Sequence, residues 1–381
     1  MPHPKVKEME RAYGFDEVAL VPGDVTINPD QTDTNFTVGA HTFPIPILAS
    51  AMDAIVDPTF AIQFNKLGGL AVLNLEGIQT RYERPDDLLD QIARASEKEV
   101  TALLQGIYSE PIKENLISQR IGAIKKAGAI CAVSMTPANT KRLAPIAKDA
   151  GMDILVVQST VTTARHISKS YRGLILPELC QQMSLPVIVG NCCSYDAALE
   201  LMRTGIDGIL VGVGPGAACT TREVIGVGVP QITATMDCAA AREAYLKESS
   251  RYVSVITDGG IRTGGDLCKS FAAGADAVMI GSPLAQAAEA PGKGYHWGMS
   301  HSHPALPRGT RVRVGTTAPL AQILLGPTSV TDGTQNLVGA VRTGMGVCSA
   351  RTIREMHKVK MVIAPSIKTE GKHFQAIQNS P

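Results

Sequence analysis

Cys219 lies in the run Gly212-Val-Gly214-Pro-Gly216-Ala-Ala-Cys219-Thr-Thr221-Arg222, a glycine-rich, polar stretch with a guanidinium close by. A loop thiol in such a setting can be held as the thiolate, the form that attacks electrophiles. The chain has eight cysteines. The other seven are Cys131, Cys180, Cys192, Cys193, Cys238, Cys268 and Cys348, none of them in a C-x-x-C pair. Most sit in apolar surroundings, where a cysteine behaves as a small buried hydrophobe, a reading that fits Cys219 poorly. Two further runs, Asp258-Gly259-Gly260-Ile-Arg262 and Gly281-Ser282, can converge backbone N–H groups on an anion. Either could be a plain tight turn, but two such loops after neighbouring strands favour a phosphate site. An aspartate beside phosphate would be repelled by it. Asp258 therefore reads as an acceptor for ribose hydroxyls, with a turn-initiating aspartate as the competing role.

These loops need a scaffold that brings them together. Short apolar runs recur at 47–50, 70–73, 129–134, 154–158, 186–190, 208–212, 252–257 and 277–281, nearly continuous in Val, Ile, Leu and Ala. Runs without alternation suit parallel strands covered on both faces. Between them lie amphipathic stretches such as 138–150 and 195–203, several ending at a glycine just before the next run. Repetition of strand, helix, glycine and strand predicts an α/β fold, a single (β/α)8 TIM barrel over residues 1–381. A ninth run, 101–104, lies in a charged, helix-rich stretch. It is read as part of a short helical insertion after strand 2, residues 76–128. A doubly wound sheet would need a glycine fingerprint after its first strand, whereas Ala49-Ser50-Ala51-Met52-Asp53 stands there. In a barrel the chemistry sits at the carboxyl ends of the strands, where the glycine-rich loops fall.

Composition sets the outer bounds. Lys and Arg total 36 against 35 Asp and Glu, a balance without the footprint of nucleic-acid or anionic-membrane binding. Apolar content of 44% with 19% charged residues excludes disorder. No run approaches the roughly 18 residues of a membrane span, and the first residues lack the apolar core of a signal peptide. The expectation is a cytoplasmic, small-molecule enzyme with reduced thiols.

The run Gly212–Ile232 closely resembles the catalytic-cysteine loop of the IMP dehydrogenase/GMP reductase family. The resemblance extends through Gly14–Pro22, Ala49–Asp53, Thr257–Arg262, Ala277–Ser282, Glu289–Gly292 and Leu337–Gly346, in the same order. It implies that Cys219 attacks C2 of a purine nucleotide and that Thr221 helps handle the water or leaving group. Asp258 would hold the ribose. Gly259, Gly260, Gly281 and Ser282 would hold the phosphate, with Tyr295 a further candidate. Ser50, Met52, Gly298 and Met299 would complete the substrate pocket. Gln158, Ser159, Asn191, Gly212 and Gly214 map to the cofactor side, and the carbonyls of Gly214, Gly216 and Cys219 to a potassium site. The resemblance further implies a homotetramer or larger assembly.

Within the family, dehydrogenases oxidise IMP to XMP with NAD, and reductases turn GMP into IMP and ammonia with NADPH. Glu223–Ala234 and Thr331–Gly346 resemble the dehydrogenases more, so NAD-dependent IMP oxidation is the leading expectation. GMP reductase is the alternative, and a non-catalytic nucleotide-binding barrel is a reading of a different class. The chain also departs from the family. Residues 76–128 are too short for the paired nucleotide-sensing (Bateman-type) module of dehydrogenases. Ala217 replaces a serine that touches phosphate, and Gln158 replaces an aspartate. The active-site flap, within 293–335, is shortened and lacks the adjacent Arg-Tyr pair that activates water. Arg81-Tyr82 and Arg251-Tyr252 fall elsewhere. Arg308, between Pro307 and Gly309 where the family touches the base, is assigned to positioning. His301 and His303 are candidates for handling water, or simply a solvated loop tip.

Overall fold

A computed structural model describes residues 8–167, 173–299 and 310–364. Eight parallel strands close into a barrel: β1 (Ile47–Ala49), β2 (Leu70–Asn74), β3 (Ala132–Met135), β4 (Ile154–Gln158), β5 (Val187–Cys192), β6 (Gly208–Val211), β7 (Ser254–Asp258) and β8 (Ala277–Ile280). β8 pairs with β1 to complete the ring. These are the eight apolar runs of the sequence, with ends shifted by up to three residues in either direction. The barrel has two apolar layers. Leu48, Ile154, Val156 and Met279 fill its interior, while their neighbours Ile47, Leu155 and Val278 face the helices. Both faces being buried explains why the strands show no polar alternation. The hairpin 36–43 caps the amino-terminal end, adding Phe36, Val38 and Phe43 to the interior cluster, and Thr37 O accepts from Ser254 Oγ at the start of β7.

Helices α1 (Pro58–Lys66), α2 (Pro85–Arg94), α3 (Val100–Ser109), α4 (Glu114–Lys126), α5 (Pro137–Asp149), α6 (Leu176–Met183), α7 (Tyr195–Met202), α8 (Thr221–Ile225) and α9 (Gln231–Ser249) follow in chain order. The run 101–104 lies inside α3, in agreement with its removal from the strand set. The stretch 76–128 is of two kinds. Ile117, Ile121 and Ile124 of α4 enter the main core, so α4 is the ring helix that the β2–β3 unit requires. Only α2 and α3 stand outside the ring. Leu89, Ile92, Leu104 and Ile107 form a separate apolar cluster with Trp297 of the flap. That tryptophan lies on β9 (Tyr295–Trp297), which pairs antiparallel with β10 (Arg311–Arg313). These two strands flank, in sequence, the segment read above as the shortened flap. Arg308, His301 and His303 lie outside the described residues.

Candidate active site

A cavity of about 560 Å³ opens at the carboxyl ends of the strands, a size suited to small ligands. Residues at the carboxyl ends of all eight strands, or in the loops after them, line it, as in other barrels of this type. Cys219, Thr221, Ser50, Met52, Asp258, Gly259, Gly260, Gly281, Ser282, Gly298, Met299, Gln158, Ser159, Asn191, Gly212, Gly214 and Gly216 all line it.

Cys219 Sγ lies 3.2 Å from Thr221 Oγ1, and its backbone N–H closes a turn onto Gly216 O at 3.0 Å. The guanidinium that drew attention to this thiol acts elsewhere. Arg222 donates from Nε to Val213 O at 3.1 Å and from Nη2 to Val229 O at 2.8 Å, tying together the two ends of the loop. It holds the loop's shape, and Thr221 is the sulfur's polar neighbour. Elsewhere burial pushes the Cys131 and Cys268 thiols up to about 12, removing them from thiolate chemistry. Gly212 is required by packing as well as by its φ of +145°. A Cβ there would meet Asp258 O at 2.3 Å and the Gln231 side chain at 2.6 Å.

Asp258 ends β7 and is held by two amides. Asn191 Nδ2 donates to its Oδ2 at 2.8 Å and Gln158 Nε2 to the same oxygen at 3.0 Å, while Gln158 also bonds Asn191 Oδ1 at 3.0 Å. Asn191 can reach inward because the β5–β6 register slips between Gly190 and Cys192, an irregularity that re-aims a side chain. Burial raises the carboxyl to about 6, and the two amide hydrogen bonds oppose that rise only in part. The residues assigned separately to cofactor and ribose therefore form one hydrogen-bonded group.

Across the cavity, Ser50 Oγ and Met52 Sδ lie within 3.7 Å of the position a Cβ on Gly281 would take, so these three form one wall. Tyr295 is not among the lining residues. Alternation on β9 turns it to the opposite side, with the Arg311 guanidinium 4.6 Å from its ring. His296 takes the inward place, its Nε2 3.0 Å from Ser282 Oγ. Burial lowers its pKa to about 4, so the ring is neutral near pH 7. Sequence reasoning missed His296, although the single intervening residue between it and Gly298 carried the strand signal. It also missed Glu76, which lines the cavity and accepts from Thr136 N at 2.5 Å and Asn139 Nδ2 at 2.8 Å. The two Arg-Tyr pairs serve structure. Arg81 bonds Glu76 O and Tyr82 bonds Ile107 O within the insertion, whereas Arg251 and Tyr252 precede β7 at the opposite end of the barrel.

The model of the IMP dehydrogenase / GMP reductase domain matches residues 12–302. The chain belongs to this family. An uncharacterized oxidoreductase of Mycobacterium leprae is 39% identical, covering 93% of this chain and 97% of its own. An inosine-5'-monophosphate dehydrogenase of Methanocaldococcus jannaschii is 26% identical over 96% of both chains. Among solved structures, an IMP dehydrogenase/GMP reductase-like protein of Corynebacterium glutamicum superposes with a TM-score of 0.89 at 35% identity, covering 95% of this chain and 97% of the other. The protein is thus an oxidoreductase-family barrel, and its family acts on nucleotide-class small molecules. Among the described residues no helix is long and apolar enough to cross a membrane.

Proposed function

We propose that this protein is an NAD-dependent IMP dehydrogenase that works without a nucleotide-sensing module. One observation carries the reading: the Cys219–Thr221 pair faces the same cavity as Asp258 and the glycine loops at 259–260 and 281–282. The Cys219 thiolate forms a bond to C2 of the purine, and the hydrogen on C2 departs as hydride. NAD, when bound, supplies the hydride acceptor. Water then replaces sulfur at C2, giving XMP and returning the thiolate, with Thr221 beside the sulfur to orient that water. Splitting oxidation from hydrolysis in this way is covalent catalysis. Asp258 accepts from the ribose hydroxyls. Backbone N–H groups of Gly260 and Gly281, with Ser282, take the phosphate. Gln158, Ser159, Asn191, Gly212 and Gly214 provide polar and unobstructed surface for the nicotinamide end. Arg308 binds the purine carbonyl or stabilises negative charge developing there.

The cysteine loop also suits a monovalent cation. Gly214, Gly216 and Cys219 contribute hard carbonyl donors. Among the described residues, no heavy atom beyond its chain neighbours lies within 4 Å of a Cβ built on Gly216, and its carbonyl, which accepts from Cys219 N–H, keeps a lone pair. A potassium ion there would order the loop around the nucleophile. The test compares NADH formation from IMP plus NAD with NADPH consumption on GMP, each in potassium and in lithium buffer. NADH formation that falls sharply in lithium is the expected outcome. NADPH consumption with GMP would make the protein a reductase, and silence in both assays would make it a binding barrel.

A further inference from the structure

We infer that Tyr108, in the helical insertion, is a positioning residue for the purine pocket; the inference rests on the nucleotide reading above. Two segments that line the cavity meet at this residue. The loop after β1 lines the cavity through Ser50 and Met52 and continues into Asp53, whose side chain is buried. The flap root lines the cavity through Gly298 and Met299 and is preceded by Trp297, 1% exposed. Tyr108 on α3 joins them. Its hydroxyl donates to Asp53 Oδ2 at 2.6 Å and accepts from Trp297 Nε1 at 2.8 Å. Met299 Sδ is 3.5 Å from the same oxygen.

The joint is anchored on both sides. Ile78 N–H also donates to Asp53 Oδ2, at 2.8 Å, and a Cβ on Gly77 would lie 2.0 Å from Asp53 Oδ1, so the chain entering the insertion must pass tightly over this carboxylate. On the flap side, Arg311 of β10 donates to Ile92 O at 2.6 Å and Ala95 O at 2.9 Å, satisfying carbonyls at the end of α2. Its Nη2 reaches Glu97 Oε1 at 2.7 Å, and Lys293 pairs with Asp90. Helices that form no part of the barrel ring thus grip the flap root and touch the purine loop through one hydroxyl. An indole and a phenol at such low exposure need their hydrogen-bond partners. Deleting the Tyr108 oxygen removes the acceptor of the indole N–H and one donor to Asp53 at once. Met52 and Met299 are then no longer fixed relative to each other, which loosens the base pocket while leaving the cofactor wall on β4–β6 intact.

The test measures IMP, GMP and NAD binding by calorimetry on wild type and Tyr108→Phe. Affinity for whichever purine nucleotide the wild type binds should fall by about tenfold, whereas NAD affinity should stay within about twofold. Trp297 is the chain's sole tryptophan, so acrylamide quenching of its emission reads the joint directly. Quenching should rise in Tyr108→Phe and be reduced again by bound nucleotide. Trp297→Phe, which keeps an aromatic ring but loses the N–H, should give the same affinity loss, and the double variant should lose no more than either single one. A role in folding alone would lower the melting temperature without moving nucleotide affinity, and that result, or parallel loss of nucleotide and cofactor, would overturn the inference. A wild type that binds neither nucleotide overturns the proposed function and this inference together.

Discussion

Two aspartates near the opposite ends of β7 and β8 are treated in opposite ways. At the amino-terminal end, Asp276 precedes β8 and is met from all sides. Arg242 Nη1 is 2.9 Å from its Oδ2, Val255 N–H donates to the same oxygen at 2.8 Å, and Tyr252 donates to Oδ1. At the carboxyl end, Asp258 has two neutral amides on one oxygen, and its pKa rises to about 6. The first carboxylate has a buried cation and serves stability. The second is held poised for ligand donors, at the end of the barrel where loops carry chemistry. The buried Arg242–Asp276 pair thus sits at the end of the barrel opposite the cavity.

Three substitutions test that division, with the largest effect expected at the cavity. Cys219→Ala should lower NADH formation by about a thousandfold or more, as loss of a covalent nucleophile does, with the melting temperature nearly unchanged. Appreciable turnover by that variant would remove Cys219 from the chemistry. Cys131→Ala, far from the cavity, should keep turnover. Arg242→Ala should do the reverse of Cys219→Ala. It leaves the buried Asp276 carboxylate without its cation and should cost about 3–5 kcal/mol of stability, read by denaturant unfolding. Loss of activity in Arg242→Ala without loss of stability would refute the separation.

The barrel was legible because its strands are buried on both faces, so nine apolar runs stood out without any knowledge of contacts, and the charged surroundings of 101–104 removed the ninth. The cavity-lining loops were legible for a related reason: a glycine-rich run after a strand carries its chemistry locally in sequence. What stayed hidden depended on pairing between distant segments. Arg222 looked like an activator of Cys219 from its position three residues on, but its donors go to Val213 and Val229. That His296 lines the cavity was hidden because the face of a three-residue strand is fixed by its partner β10. The boundary between insertion and ring helix in 76–128 was invisible because α2, α3 and α4 are all amphipathic helices, and only what each packs against separates them.

The smallest effect is the most specific to Asp258. Burial holds its carboxyl at about 6 in the free protein, against an ordinary value of 3.8. The sign follows from which form is penalised. The ionised form is disfavoured by folding, so this group's cost to stability is greatest above pH 6 and fades as pH falls through 6 toward 3.8. Ligand binding runs the other way. Ribose hydroxyls donate best to the ionised carboxylate, so nucleotide affinity should rise with pH up to about 6 and level off above it. The nucleotide's own phosphate titrates in the same window, with a second pKa of about 6, so one slope alone does not identify the group. His296, lowered to about 4, is neutral throughout most of it. Asp258→Asn keeps an oxygen acceptor and removes the titration. Below pH 6 the logarithm of the IMP dissociation constant should therefore change by about two units per pH unit in wild type and about one in Asp258→Asn. Calorimetry between pH 5 and 8 measures both, and equal slopes in the two proteins would show that Asp258 does not read the ribose as a carboxylate.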